Sequence, residues 1–259
     1  MSDISEFYNK FSYPDSRQYQ FGKNGILFQS SSAPINQKNK EILVIGCGVS
    51  EAILVALSNP KSHVIGIDIS ENQIAISKSI KRKMKLKNLS LRVDDICYPK
   101  YCYTQYDNIV ATGVLHHIKD INLAMQNIAR FLKIGGAFSG MVYSDERPTI
   151  IRELNKFFVE SNFTVQQAKA WLNDNRIEWF LKHVQADEEI ADTWLNPYFV
   201  EYNEIHLFEI LEKYFKKATV YPRQGYKFHN MFTAAHSEMI EIDNFPLFML
   251  TENKFLDFR

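Results

Sequence analysis

The chain has no net charge, few cysteines and no long apolar run, and each of these deficits excludes a class of protein. Lysine plus arginine equals aspartate plus glutamate, with 30 of each among 259 residues, so no global field attracts nucleic acid or an anionic membrane surface. No apolar stretch approaches the ~20 residues that span a bilayer, and the polar beginning of the chain is unlike a signal peptide. We therefore expect a soluble, cytoplasmic protein with neither nucleic-acid nor membrane partners.

The cysteines are too few to form a disulfide framework, which agrees with a reducing compartment. Cys97 and Cys102 are close in sequence but lack the further ligands that a zinc site requires, so we expect no metal. A chain of this length can bury a substantial core, and one large α/β domain with an insertion is the simplest arrangement.

The most informative stretch runs from Glu41 to Ala52 and reads EILVIGCGVSEA. Its apolar first half is typical of a buried parallel strand, which needs no polar alternation because helices cover both of its faces. Gly46 and Gly48 then let the backbone bend sharply and leave bare main chain against which a ligand can lie, while the first amides of the following helix point at that ligand. The pattern predicts a loop that binds a nucleotide-type cofactor.

The sixth position of this loop argues against a dinucleotide. The dinucleotide fingerprint has a small residue there, beneath a pyrophosphate, whereas this chain has Glu51. A carboxylate would repel a pyrophosphate, so NAD and FAD are disfavoured. No Gly-Lys-Ser/Thr follows, which excludes a phosphate-binding P-loop.

An acidic residue at the end of the second predicted strand extends the pattern. The apolar segment Val64–Ile67 ends at Asp68, where one carboxylate can accept from both hydroxyls of a ribose. The alternative is that Asp68 merely begins a turn. Ser70 and Gln73 then form a predicted capping box at the start of the next helix.

Two later segments add local signals. The fourth predicted strand, Tyr106–Thr112, leads into the sequence GVLHHI at 113–118. A predicted helix from about Asn122 to Leu132 continues through the sequence KIGG, in which Gly135 closes the helix in a left-handed conformation. The fifth predicted strand follows, from Ala137 to Tyr143.

Together, the glycine loop, Asp68, the His-His segment and the Gly-Gly turn resemble class I S-adenosylmethionine (SAM) dependent methyltransferases of the small-molecule type, most nearly uncharacterised bacterial members. The resemblance covers about Glu41 to Ser144. It implies a Rossmann-like α/β fold with a seven-stranded, mostly parallel sheet whose last strand is antiparallel, with SAM as cofactor and S-adenosylhomocysteine as product. The chain departs from the family at Val44, where an acidic residue often contacts the methionine ammonium, and at Ser50, which replaces a third glycine.

The resemblance also implies which residues bind the cofactor. The side chain of Asp95 is expected to accept from the adenine amino group, with Asp94 as a competitor, and the amide of Ile96 is expected to meet a ring nitrogen. The complete expected set is Gly46, Cys47, Gly48, Ser50, Asp68, Ile69, Asp95, Ile96, Thr112 and Gly113.

Two residues are candidates for a general base. His117 has an unperturbed pKa near ~6.5 and a predicted position at the ligand edge of the sheet, and Tyr143 is the second candidate. The alternative is that His117 only shapes its loop and that the reaction proceeds by alignment of the reactants.

The remaining segments are expected to surround this core, 37–145, within one structural domain. Residues 1–36 are rich in aromatics and predict a cover over cofactor and substrate with Tyr8, Tyr13 and Tyr19 as lid residues, or else simple packing on the sheet. Residues 146–203 predict a helical cap after the fifth strand, whose aromatics either line the substrate site or only hold the added helices together. Residues 204–259 complete the sheet and form a tail.

The function expected from the sequence is methyl transfer from SAM to an O, N or S nucleophile. A small-molecule acceptor comes first, because the cap is aromatic and the charge is balanced, and a protein side chain comes second. The competing class is a non-catalytic SAM-binding subunit that needs a partner chain.

Overall fold

A computed structural model describes residues 3–12, 37–101, 105–177, 186–222 and 229–236. Its centre is a seven-stranded sheet with the order β3-β2-β1-β4-β5-β7-β6. The neighbouring strands from β3 to β5 are parallel, and β7 is antiparallel to both β5 and β6. This confirms the predicted sheet. The strands are β1 Lys38–Ile45, β2 Lys61–Asp68, β3 Leu89–Val93, β4 Tyr106–Thr112, β5 Leu132–Tyr143, β6 Lys217–Pro222 and β7 His229–Ala235.

Helices make the crossovers from β1 to β2, from β2 to β3 and from β4 to β5, as is usual between parallel strands, whereas the described part of the β3–β4 connection contains no helix. The helices of the described residues are α1 Asp3–Lys10, α2 Glu51–Ser58, α3 Glu71–Lys83, α4 Ile121–Phe131, α5 Thr149–Glu160, α6 Val165–Asp174, α7 Asp187–Trp194 and α8 Glu204–Glu212, and a 3-10 turn lies at Leu115–His117. Within the described ranges, no helix has the length and apolarity needed to cross a membrane.

The apolar run of β1 is continuous because both faces of the strand are covered. Leu43 and Ile45 face one hydrophobic cluster, while Ile42 and Val44 face another on the opposite side of the sheet. All four residues are buried, so Val44 contributes to the core and not to a ligand site.

Gly135 has the predicted left-handed conformation, but it does not close α4 as predicted. Helix α4 ends at Phe131 with an extended Leu132 as its C-cap, and Gly135 lies within β5, which begins earlier than predicted. Gly135 has a φ of 80°, and Leu132 already pairs with Tyr106 before an irregularity in the ladder. Gly136 must be small, because a Cβ there would lie 2.9 Å from the carbonyl oxygen of Asp107.

The inserted helices α5, α6 and α7 have a core of their own, centred on Phe158 and Trp194. Phe7 and Phe11 of α1 pack against this core. Most of the described aromatics of the insertion therefore hold the added helices together, but Tyr202 packs in the core of the sheet and the ring of Phe199 contacts Tyr143. Trp179 and Phe180 lie outside the described residues.

Candidate functional site

A cavity of about 610 Å³ lies where the parallel strands β1, β2 and β4 end. This is the edge at which open α/β sheets bind ligands. Its wall includes the whole expected cofactor set: Gly46, Cys47, Gly48, Ser50, Asp68, Ile69, Asp95, Ile96, Thr112 and Gly113. Tyr8 and His117 also line it.

The glycine loop is shaped by positive φ angles and by a close contact. Gly46 has a φ of 59° and Gly48 a φ of 51°. A Cβ on Gly46 would lie 2.3 Å from Cγ2 of Val114. From the other side, the hydroxyl of Ser77 donates to the carbonyls of Gly48 at 3.0 Å and Val49 at 2.7 Å, so α3 fixes the loop.

Asp68 supports the loop and also faces the cavity. One carboxylate oxygen accepts from the amide of Gly48 and the other from the amide of Ser70, both at 2.9 Å. Burial raises the pKa of Asp68, and the amides of Ser70, Gly48 and Ile69 oppose this rise. A carboxylate has about four acceptor sites and the amides of Ser70, Gly48 and Ile69 bond to this one, so room remains for a ligand hydroxyl and the turn role and a ligand role are compatible.

The two acids after β3 differ in their burial and in the number of backbone amides that they accept from. Asp94 is buried, and one of its oxygens accepts from the amides of Asp95 at 2.9 Å and Lys100 at 3.0 Å. Asp95 is half-buried and accepts from the amide of Cys97 at 2.8 Å. The amide of Ile96 has no acceptor in the described part of the chain. This arrangement favours Asp95 and Ile96 over Asp94 as the ligand-facing pair.

One ring nitrogen of His117 has a hydrogen-bond partner among the described residues, and the other has none there. Its Nδ1 lies 2.8 Å from the carbonyl oxygen of Tyr198, and since a carbonyl only accepts, Nδ1 carries the proton and Nε2 is an acceptor. Burial lowers the pKa of His117 below its ordinary value of 6.5, while the charge of Asp192 acts in the opposite direction. The imidazole is therefore neutral near pH 7.

Tyr143 does not line the cavity. Its ring stacks on His116 with 3.6 Å between the centroids, and its hydroxyl donates to Asp192 at 3.1 Å. The amide of Tyr143 donates to Nδ1 of His116 at 3.2 Å. Burial holds the pKa of His116 well below its ordinary value. This pair lies behind His117, and no described contact brings the Tyr143 hydroxyl to the cavity wall.

Helix α1 lines one side of the cavity and contacts both the start of α3 and the cap. Its residues Ile4 and Tyr8 line the cavity. The hydroxyl of Tyr8 donates to the buried carboxylate of Asp192 at 2.7 Å and accepts from the side-chain amide of Asn196 at 3.0 Å. On the sheet side, the hydroxyl of Ser70 donates to the carbonyl of Tyr8 at 3.0 Å. The other expected lid residues, Tyr13 and Tyr19, lie outside the described residues.

The cavity wall is rich in acids. Five carboxylates line it, namely Glu51, Asp68, Asp94, Asp95 and Asp120, and among its described residues the one cation is Lys119. No three described histidine, cysteine or acidic side chains come together as a metal-binding group.

Sequence reasoning missed Asp192 and Gln73. Asp192 is separated from Tyr8 by 184 positions, so no local pattern links the two. Gln73 lines the cavity, and its position in an apparent capping box concealed this.

A family model described as a methyltransferase domain matches residues 36–218. The chain belongs to the methyltransferase domain family. It is similar to the uncharacterised protein RP028 of Rickettsia prowazekii, with 27% identity over 216 residues that cover 76% of this chain and 86% of that protein. It is also similar to phosphoethanolamine N-methyltransferase 1 of Triticum aestivum, with 24% identity over 134 residues, 51% of this chain and 26% of the plant enzyme.

Solved structures show the same methyltransferase fold. PKMT2 from Rickettsia typhi in complex with AdoHcy has a TM-score of 0.61 to this chain at 18% identity, covering 76% of this chain and 49% of that one. The methyltransferase domain described here therefore corresponds to about half of PKMT2.

Proposed function

We propose that this protein transfers a methyl group from SAM to an O, N or S nucleophile of a small organic molecule. The observation that carries the proposal is the acid-lined cavity at the glycine loop of a methyltransferase-family fold. A pyrophosphate would meet Glu51 as a like charge, whereas the positive sulfonium of SAM suits a wall of carboxylates.

The residues present fit SAM. Asp68 offers acceptors for the ribose hydroxyls, Asp95 and the amide of Ile96 suit the edge of an adenine, and Gly46 with Gly48 leaves open main chain for the rest. When bound, SAM supplies an electrophilic methyl group on a positively charged sulfur.

The contribution of the chain is alignment and exclusion of water. Methyl transfer is an in-line displacement, so holding the acceptor behind the methyl group provides much of the acceleration. Ile4 and Tyr8 of α1, with Val114 and Met141 from the sheet edge, give that part of the cavity apolar walls. Helix α1 covers this side and limits access of water.

His117 is proposed to orient the acceptor. Its Nε2 can accept a hydrogen bond from the hydroxyl or amine that will be methylated, because Nδ1–H is held by Tyr198. Burial lowers the pKa of His117, which makes the imidazole a weaker base. We therefore favour positioning over obligatory proton removal, and an amine acceptor can lose its proton to water after transfer.

The similarity to the wheat enzyme, whose name describes methylation of phosphoethanolamine, supports a small acceptor. The test is turnover of labelled SAM with a metabolite extract and, in parallel, with a protein pool. A methylated small product from the isolated chain is the expected result. Label that appears only in protein would mean that the acceptor is a protein side chain and not a small molecule. Tight SAM binding without product in either pool would contradict the enzymatic function and favour a non-catalytic subunit that needs a partner chain. NADH should not compete with SAM in a calorimetric titration.

A further inference from the structure

The side chain of Gln73 does not do what its position in the sequence predicts. The hydroxyl of Ser70 accepts from the backbone amide of Gln73 at 3.2 Å, as in a capping box. The reciprocal bond, from the amide of Ser70 to the Gln73 side chain, is missing because that amide donates to Asp68. The Gln73 side chain is therefore released from the helix end.

This side chain is buried without a hydrogen-bond partner. Gln73 is 3% exposed, its Oε1 has no partner among the described residues, and no hydrogen bond is formed by its Nε2 in the same ranges. Buried side-chain amides are bonded in the large majority of cases, and an unbonded one destabilises the fold. A hydrophobic side chain would suit this position better if packing were its only role.

The helix periodicity places Gln73 beside the glycine loop. Ser77 follows one turn later on the same face of α3 and bonds to the carbonyls of Gly48 and Val49. Gln73 therefore lies on the face of α3 that contacts the loop, and it lines the cavity together with Asp68.

We propose that Gln73 is a cofactor-binding residue whose side-chain amide hydrogen-bonds to the ribose hydroxyls beside Asp68, an inference that rests on the proposed SAM site. A hydroxyl both donates and accepts, and the Asp68 carboxylate can only accept. The side-chain amide does both, so Nε2–H can donate to the hydroxyl that Asp68 accepts from, and Oε1, which has no partner among the described residues, can accept from the other hydroxyl. The ligand in turn satisfies the buried amide.

The test uses Gln73→Met, which keeps an unbranched side chain and the backbone amide that Ser70 caps. Gln126→Met on the exposed face of α4 is the matched control. Titration calorimetry with S-adenosylhomocysteine and with 5′-methylthioadenosine, which lacks the amino-acid arm, measures affinity, and thermal unfolding without ligand measures stability. Gln73→Met should bind both ligands about 5- to 10-fold more weakly, with an unliganded Tm equal to or above that of the wild type, and Gln126→Met should change neither.

Two results would overturn the inference. Unchanged affinity of Gln73→Met with a lowered Tm would make Gln73 a structural residue, and a loss confined to S-adenosylhomocysteine would move the contact to the amino-acid arm. Failure of the proposed function is distinguishable, because in that case the wild-type protein itself would not bind S-adenosylhomocysteine.

Discussion

Replacing Tyr8 by Phe should loosen α1 over the cavity. The change removes one oxygen atom and keeps the ring, which packs edge-on against Phe7 and His117. That oxygen donates to the buried carboxylate of Asp192 at 2.7 Å and accepts from Asn196 at 3.0 Å. The backbone bond from Ser70 to the Tyr8 carbonyl remains, so α1 should stay docked on average and open more often.

The magnitude follows from the charge on the acceptor. A hydrogen bond to a charged group contributes about 1.5 to 3 kcal/mol, and each 1.4 kcal/mol is roughly a tenfold change in an equilibrium. The open population of α1 should therefore rise by roughly 10- to 100-fold. Amide hydrogen exchange of the protected α1 amides reports this population directly.

Tyr143→Phe is the matched control. It removes the other tyrosine hydroxyl on the same carboxylate, at 3.1 Å, but from β5 and not from α1. Its effect on exchange in α1 should be much smaller. Equal exchange rates in the two variants would show that the Tyr8 hydroxyl does not hold the helix.

In the wild type, S-adenosylhomocysteine should slow exchange or proteolysis over residues 7–21. Equal protection with and without this ligand would mean that the segment only packs on the domain and does not close over the site.

Three further perturbations have defined outcomes. Asp68→Ala should weaken SAM binding by about 1.5 to 3 kcal/mol and also lower the free energy of unfolding by about 2 kcal/mol or more, since the amides of Gly48 and Ser70 lose their acceptor; calorimetry and urea unfolding measure the two effects, and unchanged affinity would contradict the ribose role. His117→Asn should keep much of the turnover and any acid limb of the pH–rate profile, and the turnover of His117→Ala should fall by less than about 10²-fold. If His117 is a base, the wild-type profile has an acid limb below pH 6.5, because burial lowers the His117 pKa, and this limb vanishes in His117→Asn. The pKa of His116 is depressed in the folded state, so below pH 6.5 the imidazole binds a proton in the unfolded chain but not in the folded one. The free energy of unfolding should therefore fall as the pH drops below 6.5, by at most about 1.4 kcal/mol per pH unit. His116→Asn keeps an acceptor for the Tyr143 amide and should show a shallower slope, and equal slopes would contradict this account.

The fold was predictable because its main determinants are local in sequence. The buried run of β1 and the glycines after it specify a covered parallel strand and its turn within twelve residues, from Glu41 to Ala52. The left-handed conformation of Gly135 was predictable but its place was not, since α4 ends at Phe131 and Gly135 lies within β5. The ends of parallel strands meet at one edge, so the expected cofactor residues came together once the strand order was right.

The contacts that tune the site are long-range, and no sequence pattern contains them. The tautomer of His117 depends on the carbonyl of Tyr198, 81 positions away, and the seating of α1 depends on Asp192. The capping box failed on one side because Asp68 competes for the amide of Ser70, a competition between a strand end and a helix start that spacing alone does not reveal.

The contact between Gly46 and Val114 makes these two positions a linked pair in any mutational library. Alanine at 46 would place its Cβ 2.3 Å from Cγ2 and 2.6 Å from Cβ of Val114, so trimming Val114 to alanine would not relieve the overlap and only glycine there would. Because Val114 is also part of the cavity wall, that compensation would hollow out the pocket beside the glycine loop, and the φ of 59° at position 46 would remain unfavourable for alanine. A change at position 46 would therefore need a simultaneous change at position 114, and the specificity of the site would change with them. A chimera that takes β1 from one homologue and β4 from another should fold only if the residues at positions 46 and 114 are compatible.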